Sequence, residues 1–535
     1  MTLQLAYQTV QNTLLIVSPE VLLLAVAIVM MTASPFVRLP CSTWAALAGF
    51  GLIASLLVLI ASRNVRADLY AAPAVNDALA FYGRLFLLLT GFILLGLAHR
   101  EPSDDRAGEF FGGLLMIEAG AMIVAASNDV VFLFVGLELV SIPTYLLLYL
   151  SRRTAVTQEA ATKYFYLSIF ASGLVLYGLA FLYGLAGTTN LKTLAALTTD
   201  APIFPNLTIG LIAVVFVMAG LCFRVAAVPL HFYAPDVYQG SPAVIAAMLS
   251  WIPKFVGFVA MIRVLTVVFA VKGASDPLVS KAIYMSWIVA VATMTLGNAV
   301  ALLQRDLKRL LAYSSIAHAG YLMVGVTASF ANGPREGHLF YGSEGIFFYL
   351  TAYALMTLGV FGVIIAMKRP DGRSVETIDD LSGLGFSQPL PALAMTVCLL
   401  SLTGFPGLAG FWGKLQIFAA AFSAESGEEA WPFYMLTIIG VLNAAVGAFY
   451  YLRIIVLMYF HPQDAPLKAT GGWPVALAVG SCASLSLLIG VFPAPVSEAC
   501  RQAAVAAADH EVAVYATPVA RQVAPVAVDV RLAHD

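Results

Sequence analysis

Arg224, Lys254 and Lys414 stand deep inside runs of apolar residues, and Glu138 stands inside another. Side chains of these types can hold, bias or pass a proton. A basic residue at the centre of a membrane helix costs about 2.5–3.5 kcal/mol on insertion scales, so its presence calls for a function or a partner. Arg84, Arg263 and Arg453 also fall within apolar runs but nearer their ends, where a long side chain snorkels to an interface. Glu118 is a second acid within a run, and Glu20 and Glu344 lie near run beginnings.

Two of these cations adjoin helix breakers. In FRVAAVPLHFYAPDVYQGSP, Arg224 precedes Pro229, which removes a backbone donor in mid-membrane. In SLTGFPGLAGFWGKLQ, Pro406 and the glycines 404, 407, 410 and 413 precede Lys414. Broken helices are tolerated in lipid only where they are buried in protein or line a wet cavity. The bland alternative at each place is a proline kink that serves packing. Two interrupted runs, each with a cation and separated by four whole runs, are the signature of an inverted-repeat transporter, runs four to eight matching nine to thirteen.

The elements that position these residues follow from composition. The chain of 535 residues is 61% hydrophobic and 11% charged, against about 25% charged in soluble proteins. That excludes a soluble enzyme and, with such hydrophobicity, disorder. A formal charge of −2 gives no basic excess for nucleic acid. Cys41, Cys222, Cys398, Cys482 and Cys500 are far apart with no C-x-x-C, which argues against an iron–sulfur or structural zinc site. No glycine-rich nucleotide fingerprint follows a strand, so if the protein takes part in redox chemistry the cofactors are on other chains. Met1 to Leu14 holds no Lys or Arg and lacks the basic region of a cleaved signal peptide.

A spanning helix needs about 20 mostly apolar residues. Fourteen runs qualify, at 14–33, 42–62, 78–98, 111–126, 129–150, 163–186, 207–230, 242–270, 283–303, 308–329, 343–367, 389–421, 433–459 and 473–494. None alternates like a barrel strand, so the expected fold is an all-α polytopic membrane protein of about fourteen transmembrane helices, with two inverted five-helix repeats containing broken helices. Residues 1–110 form an N-terminal three-helix segment, 111–270 and 283–460 the two repeats, 461–494 the last transmembrane helix, and 495–535 a flexible extension. The odd-numbered connections hold 13 basic residues and the even-numbered ones 6. By the positive-inside rule the odd connections are cytoplasmic and both termini lie outside.

Long motifs carry a family resemblance. FRVAAVPLHFYAPDVYQGSP, QRDLKRLLAYSSIAHAGYLMVG and SLTGFPGLAGFWGK resemble the antiporter-like membrane subunits of respiratory complex I. ELVSIPTYLL, EAATKYFYLSIFASGLVLYG and APDVYQGSP resemble the subunit N branch, where the M, L and Mrp branches read more like LPDAxxxAP. The resemblance runs from about 110 to 460. It implies a proton-channel subunit of NADH:quinone oxidoreductase in a bacterial inner membrane, assembled with other membrane subunits. Flavin, iron–sulfur clusters and quinone would then belong to partner subunits, with no cofactor or metal on this chain. The rivals are a subunit of a multisubunit cation/proton antiporter, a membrane-bound hydrogenase subunit, and a mere membrane anchor.

The resemblance also implies roles. The glutamate of the family's fifth helix corresponds to Glu138, the lysine of the eighth to Lys254, the histidine of the tenth to His318 and the lysine of the twelfth to Lys414. The seventh-helix lysine corresponds to position 224, which is Arg here. A guanidinium stays charged, so this position is expected to be a fixed countercharge to Glu138 rather than a relay; an arginine reaching the interface is the alternative. Lysine exchanges protons near neutral pH only when stripped of water, whereas histidine starts close to it. His318 follows Tyr313, Ser314 and Ser315, a polar stretch suited to a hydrated midpoint. His231 either polarises the channel entrance or bonds to backbone at a helix end. For Glu118 the expectation is a near-interface acid or a partner for a polar group, ahead of an extra proton site. Lys308 and Arg309 read as cytoplasmic anchors.

Overall fold

The computed structural model describes residues 3–151, 154–200, 207–266, 277–331, 341–424, 430–462 and 466–508. Arg152, Arg153, Lys272, Arg335, Arg521, Arg531 and residues 509–535 of the expected extension lie outside the described residues.

With no water in the bilayer core, apolar runs must satisfy their backbone groups internally, and each of the fourteen is helical over most of its described residues. The N-terminal segment comprises α1 (Leu3–Ile16), α2 (Ser18–Ala33), α3 (Cys41–Ala61) and α4 (Ala78–Ala98). Then follow α5 (Ala107–Ala126), α6 (Val130–Ser151), α7 (Ala155–Ala186), α8 (Leu191–Asp200), α9 (Leu207–Arg224), α10 (Ala234–Gly240) and α11 (Ala243–Met261), which ends in a π turn, Ile262–Thr266. The second half holds α12 (Pro277–Ala301), α13 (Leu307–Ala331), α14 (Gly342–Ala366), β1 (Met367–Lys368), α15 (Leu384–Ser387), α16 (Pro389–Thr403), α17 (Ala409–Phe422) and α18 (Trp431–Phe460). The chain continues through β2 (Lys468–Ala469), α19 (Gly472–Val491) and α20 (Ala494–Ala508). Among the described residues, 12 helices are long and apolar enough to span, and the pair α1–α2, bent by 56°, makes a thirteenth. The remaining run is divided between α16 and α17, each too short alone. The chain is a multi-pass membrane protein.

The connections fall into two sets at opposite ends of the bundle. In the odd-numbered set the Cys41 N–H donates to Asp104 (2.7 Å), Asp306 bridges Thr377, and β1 pairs antiparallel with β2. In the even-numbered set Ala74 bridges Ser127 and Asp129 bridges Asn190. The beginning of α2 and the end of α19 belong to this second end. Helices α5, α11, α13 and α14 are buried almost throughout, whereas α3, α7, α18 and α19 keep apolar faces open, with Leu57, Phe170, Phe449 and Leu477 exposed as lipid-facing side chains are. Association in lipid depends on close packing of small residues. Gly120 of α5 and Gly136 of α6 meet so closely that a Cβ on either would lie 3.0 Å from the other's carbonyl oxygen.

Two expectations are overturned. Arg84 and Arg263 do not reach an interface. Arg84 is fully buried, bonded to Glu20 (3.2 Å), to the Ile16 carbonyl (2.9 Å) and to Asn76 (2.6 Å). Arg263 forks onto Asp77 at 2.6 and 2.9 Å, while Asp77 also caps α4 by accepting from the Ala80 N–H. Burial pushes the Asp77 carboxyl up, but Arg263 and the cap pull it down further, leaving it below its ordinary value of 3.8. Arg453 of α18 is partly exposed. The expected flexible extension begins instead as an ordered helix: α20 packs on α4 and α14, with Tyr82 donating to Gln502 (3.1 Å). Its small residues let one face bury, with Cys500, Ala503, Ala504 and Ala507 turned inward.

Candidate functional site: a row of buried ionisable groups

At the first break, α9 ends on Arg224 and the chain passes through Ala226 in the left-handed region (φ 57°) to Pro229. The terminal carbonyls of a helix attract a cation. The Arg224 guanidinium instead turns to α6 and α7, donating to Glu138 (2.8 Å), Ser141 (2.5 Å), the Leu137 carbonyl (3.0 Å) and Ser172 (3.2 Å). Ser172 donates to the same Glu138 oxygen at 2.5 Å. The countercharge expected for Glu138 is therefore present, and the interface alternative for Arg224 fails. The carbonyl left free past the end of α9, that of Val225, is taken by Lys254 of α11 at 3.3 Å.

At the midline, His318 of α13 lies between two tyrosines. Its Nδ1 bonds the Tyr349 hydroxyl and its Nε2 bonds the Tyr451 hydroxyl at 2.8 Å; Tyr451 in turn bonds Ser314. A neutral imidazole donates through one nitrogen and accepts through the other, so this is a continuous hydrogen-bonded chain across three helices. Beside this chain, the Tyr238 hydroxyl of α10 bonds Ser315 of α13 (3.3 Å).

At the second break, α16 ends on Gly404 (φ 90°), where a Cβ would lie 3.1 Å from the Lys414 side chain. Lys414 folds back from α17 and donates to the carbonyls of Leu402 and Thr403, both at 2.9 Å, with its ammonium 5.0 Å from the centre of the Tyr321 ring. Tyr321 belongs to a polar knot with Asn298 and Tyr450.

Of the sequence-derived set, Glu138 and Arg224 thus form a pair, Lys254 bonds the chain just past Arg224, and His318 lies within electrostatic reach of both Lys254 and Lys414. The secondary candidates stand apart from these groups. The partly exposed His231 follows the first break, where its ring interacts with the Pro229 backbone. Glu118 is fully buried and neither carboxyl oxygen has a partner, which overturns both readings preferred for it, the near-interface acid and the partner for a polar group. Sequence reasoning missed the serines 141 and 172 and the tyrosines 238, 349 and 451. The available signal was hydroxyls on helices of otherwise apolar character. Lys308 and Arg309 hold α10 in place: Lys308 donates to the Gln239 and Ser241 carbonyls at 2.7 and 2.8 Å, and Arg309 pairs with Asp236 at 2.8 Å. Lys163 pairs with the other oxygen of Asp236 at 2.7 Å. Among the described residues, no group of three or more His, Cys, Asp or Glu is placed to hold a metal ion.

Residues 127–442, which carry the whole row, match the family described as NADH:quinone oxidoreductase/Mrp antiporter, transmembrane. The chain belongs to this family. Glu118 lies before the matched segment. Among relatives of the NADH:quinone oxidoreductase/Mrp antiporter family, the chain is 37% identical to NADH-quinone oxidoreductase subunit N of Trichlorobacter lovleyi, over 93% of this chain and 98% of that one. A chain of respiratory complex I from Thermus thermophilus superposes with a TM-score of 0.72 at 28% identity, covering 91% of this chain and 100% of that one. A chain of the Mrp complex from Dietzia sp. DQ12-45-1b reaches a TM-score of 0.76 at 21% identity, covering 95% and 98%. That last likeness concerns the fold alone.

Proposed function

We propose that the chain is the proton-translocating subunit N of an NADH-quinone oxidoreductase, moving protons across the membrane as electrons pass from NADH to quinone on other subunits. The observation that carries this reading is the set itself: two broken helices, each with a cation at the break, and between them a buried His318 hydrogen-bonded to two tyrosine hydroxyls. A membrane anchor has no reason to bear the cost of these groups. Protons enter from the cytoplasm near Glu138 and Lys254, cross the His318 midline and leave through Lys414. Arg224 keeps its charge and sets the state of Glu138. Flavin, iron–sulfur clusters and quinone belong to partner subunits, and this chain binds other membrane subunits of the complex. The segments 111–270 and 283–460 act as inverted repeats, in a bacterial inner membrane with both termini outside.

The test is proton pumping by the assembled complex in proteoliposomes. Lys254→Met is expected to abolish NADH-driven proton uptake while leaving the complex assembled; full pumping overturns the reading. The rival, a cation/proton antiporter subunit without redox coupling, shares the fold. Co-purification with flavin and iron–sulfur subunits separates the two, and its absence favours the rival.

A further inference from the structure

A second polar cluster lies at the end of the bundle where α20 packs. Glu344, in the first turn of α14, is 2% exposed, and Gln416 of α17 is 1% exposed. Ser497 of α20 connects them, donating to Glu344 Oε1 (3.1 Å) and accepting from Gln416 Nε2 (3.0 Å). The other oxygens, Glu344 Oε2 and Gln416 Oε1, are both buried without a partner. Two orphaned acceptors on side chains that share one serine mark a place that takes water or a proton, since a buried acceptor otherwise loses its hydration for nothing.

Besides α20, the cluster lies on two helices, α14 and α17, that also carry groups described above, Tyr349 and Lys414. Helices α14 and α17 pack backbone to backbone along one seam. At one point Gly413 of α17 touches Tyr349, the residue bonded to His318; a Cβ there would lie 3.0 Å from the Tyr349 Cα. At the other, Gly345 faces α17, a Cβ there lying 3.0 Å from the Ile417 nitrogen, beside Gln416 and Glu344. In sequence Lys414 falls between these two points, with its ammonium turned to the Leu402 and Thr403 carbonyls. The charged and titratable groups around Glu344 are Glu498, Cys500 and Arg501 of α20, with Arg501 over the Tyr341 ring at 5.7 Å. From α13 the backbone and hydroxyl of Ser329 close on Gly342.

The geometry points to Glu344 as the outer proton-release carboxylate of the path, with Gln416 and Ser497 positioning it and α20 covering it. The inference rests on the reading of this chain as a proton-translocating subunit. In the step, the Lys414 ammonium gives up one proton and becomes a neutral amine. The Glu344 carboxylate takes that proton as a carboxylic acid, then releases it to water past α20.

The test uses the assembled complex in proteoliposomes, with NADH and quinone supplied and subunit content checked. Glutamine still accepts the Ser497 bond through its carbonyl, so a merely structural Glu344 predicts an unchanged Glu344→Gln variant. The expected result is at least a fivefold fall in proton uptake per NADH oxidised for Glu344→Gln, with at least half regained in Glu344→Asp. Full pumping by Glu344→Gln, while Lys254→Met has none, overturns this inference and leaves the reading of the chain intact. Full pumping by both variants overturns the reading itself. If Glu344→Gln does not assemble, Ser497→Ala decides: about a halving of pumping supports the inference, and an unchanged rate overturns it.

Discussion

The two broken helices solve one problem in different ways. A break leaves carbonyls without intrahelical partners, and a cation near them is favoured by up to about 2 kcal/mol in partly buried geometry. At the first break the cation of the helix end is a guanidinium, held by Glu138, two serines and a carbonyl. At the second break the cation is a lysine held by two carbonyls and a ring face, with no carboxylate among its bonding partners. Every polar feature of the first site keeps the charge in place. Nothing at the second would be left as an unpaired ion if the charge departed. On the proposed reading, one break is a fixed electrostatic reference and the other is suited to exchange. Lys254 resembles the second kind, since it donates to a single carbonyl beyond the first break.

The comparison is tested most severely by Lys414→Arg. The charge is kept but cannot be released, so proton uptake is expected to disappear; pumping at the native rate would break the contrast. Arg224→Ala comes next. It leaves Glu138 with Ser172 as its remaining partner, and removing one partner of a fully buried pair costs about 3–5 kcal/mol, an upper bound for this partly buried acid. Pumping is expected to fall about tenfold, while Arg224→Lys, which keeps the charge, is expected to retain most of it. Equal and full pumping by both would reject the fixed-reference role. A smaller effect is expected from Glu118→Met. Removing a carboxyl with two unpartnered oxygens relieves a penalty of about 1–3 kcal/mol, so heat resistance of the assembled complex should rise with pumping unchanged. A loss of pumping would extend the row to Glu118. The smallest effect concerns the Asp77–Arg263 pair. Because the Asp77 carboxyl is held below its usual 3.8, it stabilises the fold above that value. The contribution is lost as pH falls through the lowered one. The native protein should lose heat resistance on acidification below pH 4, and Asp77→Asn should flatten that dependence.

Much of this is legible in the sequence, for a physical reason. An ionisable residue inside an apolar run is costly wherever it ends up, so Arg224, Lys254 and Lys414 stand out from the order of residues alone. Proline and glycine likewise announce a break, because lost donors and left-handed turns are local properties of the chain. What stays hidden depends on distant partners. Arg84 reads as an interface residue because its acid, Glu20, lies 64 residues away, and Arg263 does so because Asp77 lies 186 away. The helix α20 is hidden because fifteen residues rich in alanine are too few to span; only packing on α4 and α14 gives them a reason to fold. Tyr349 and Tyr451 are hidden because a tyrosine in an apolar helix has no local mark of its partner. Only the crossing of α13, α14 and α18 turns their hydroxyls toward the one ring of His318.

The hydrogen-bond count at Lys414 has a mechanical consequence. A protonated lysine has three N–H bonds to offer, and a neutral one has two. The break asks for two, one for Leu402 and one for Thr403. The third is surplus to holding the helix ends together. The joint can therefore stay latched in both charge states, and a proton can leave it without the hinge coming undone.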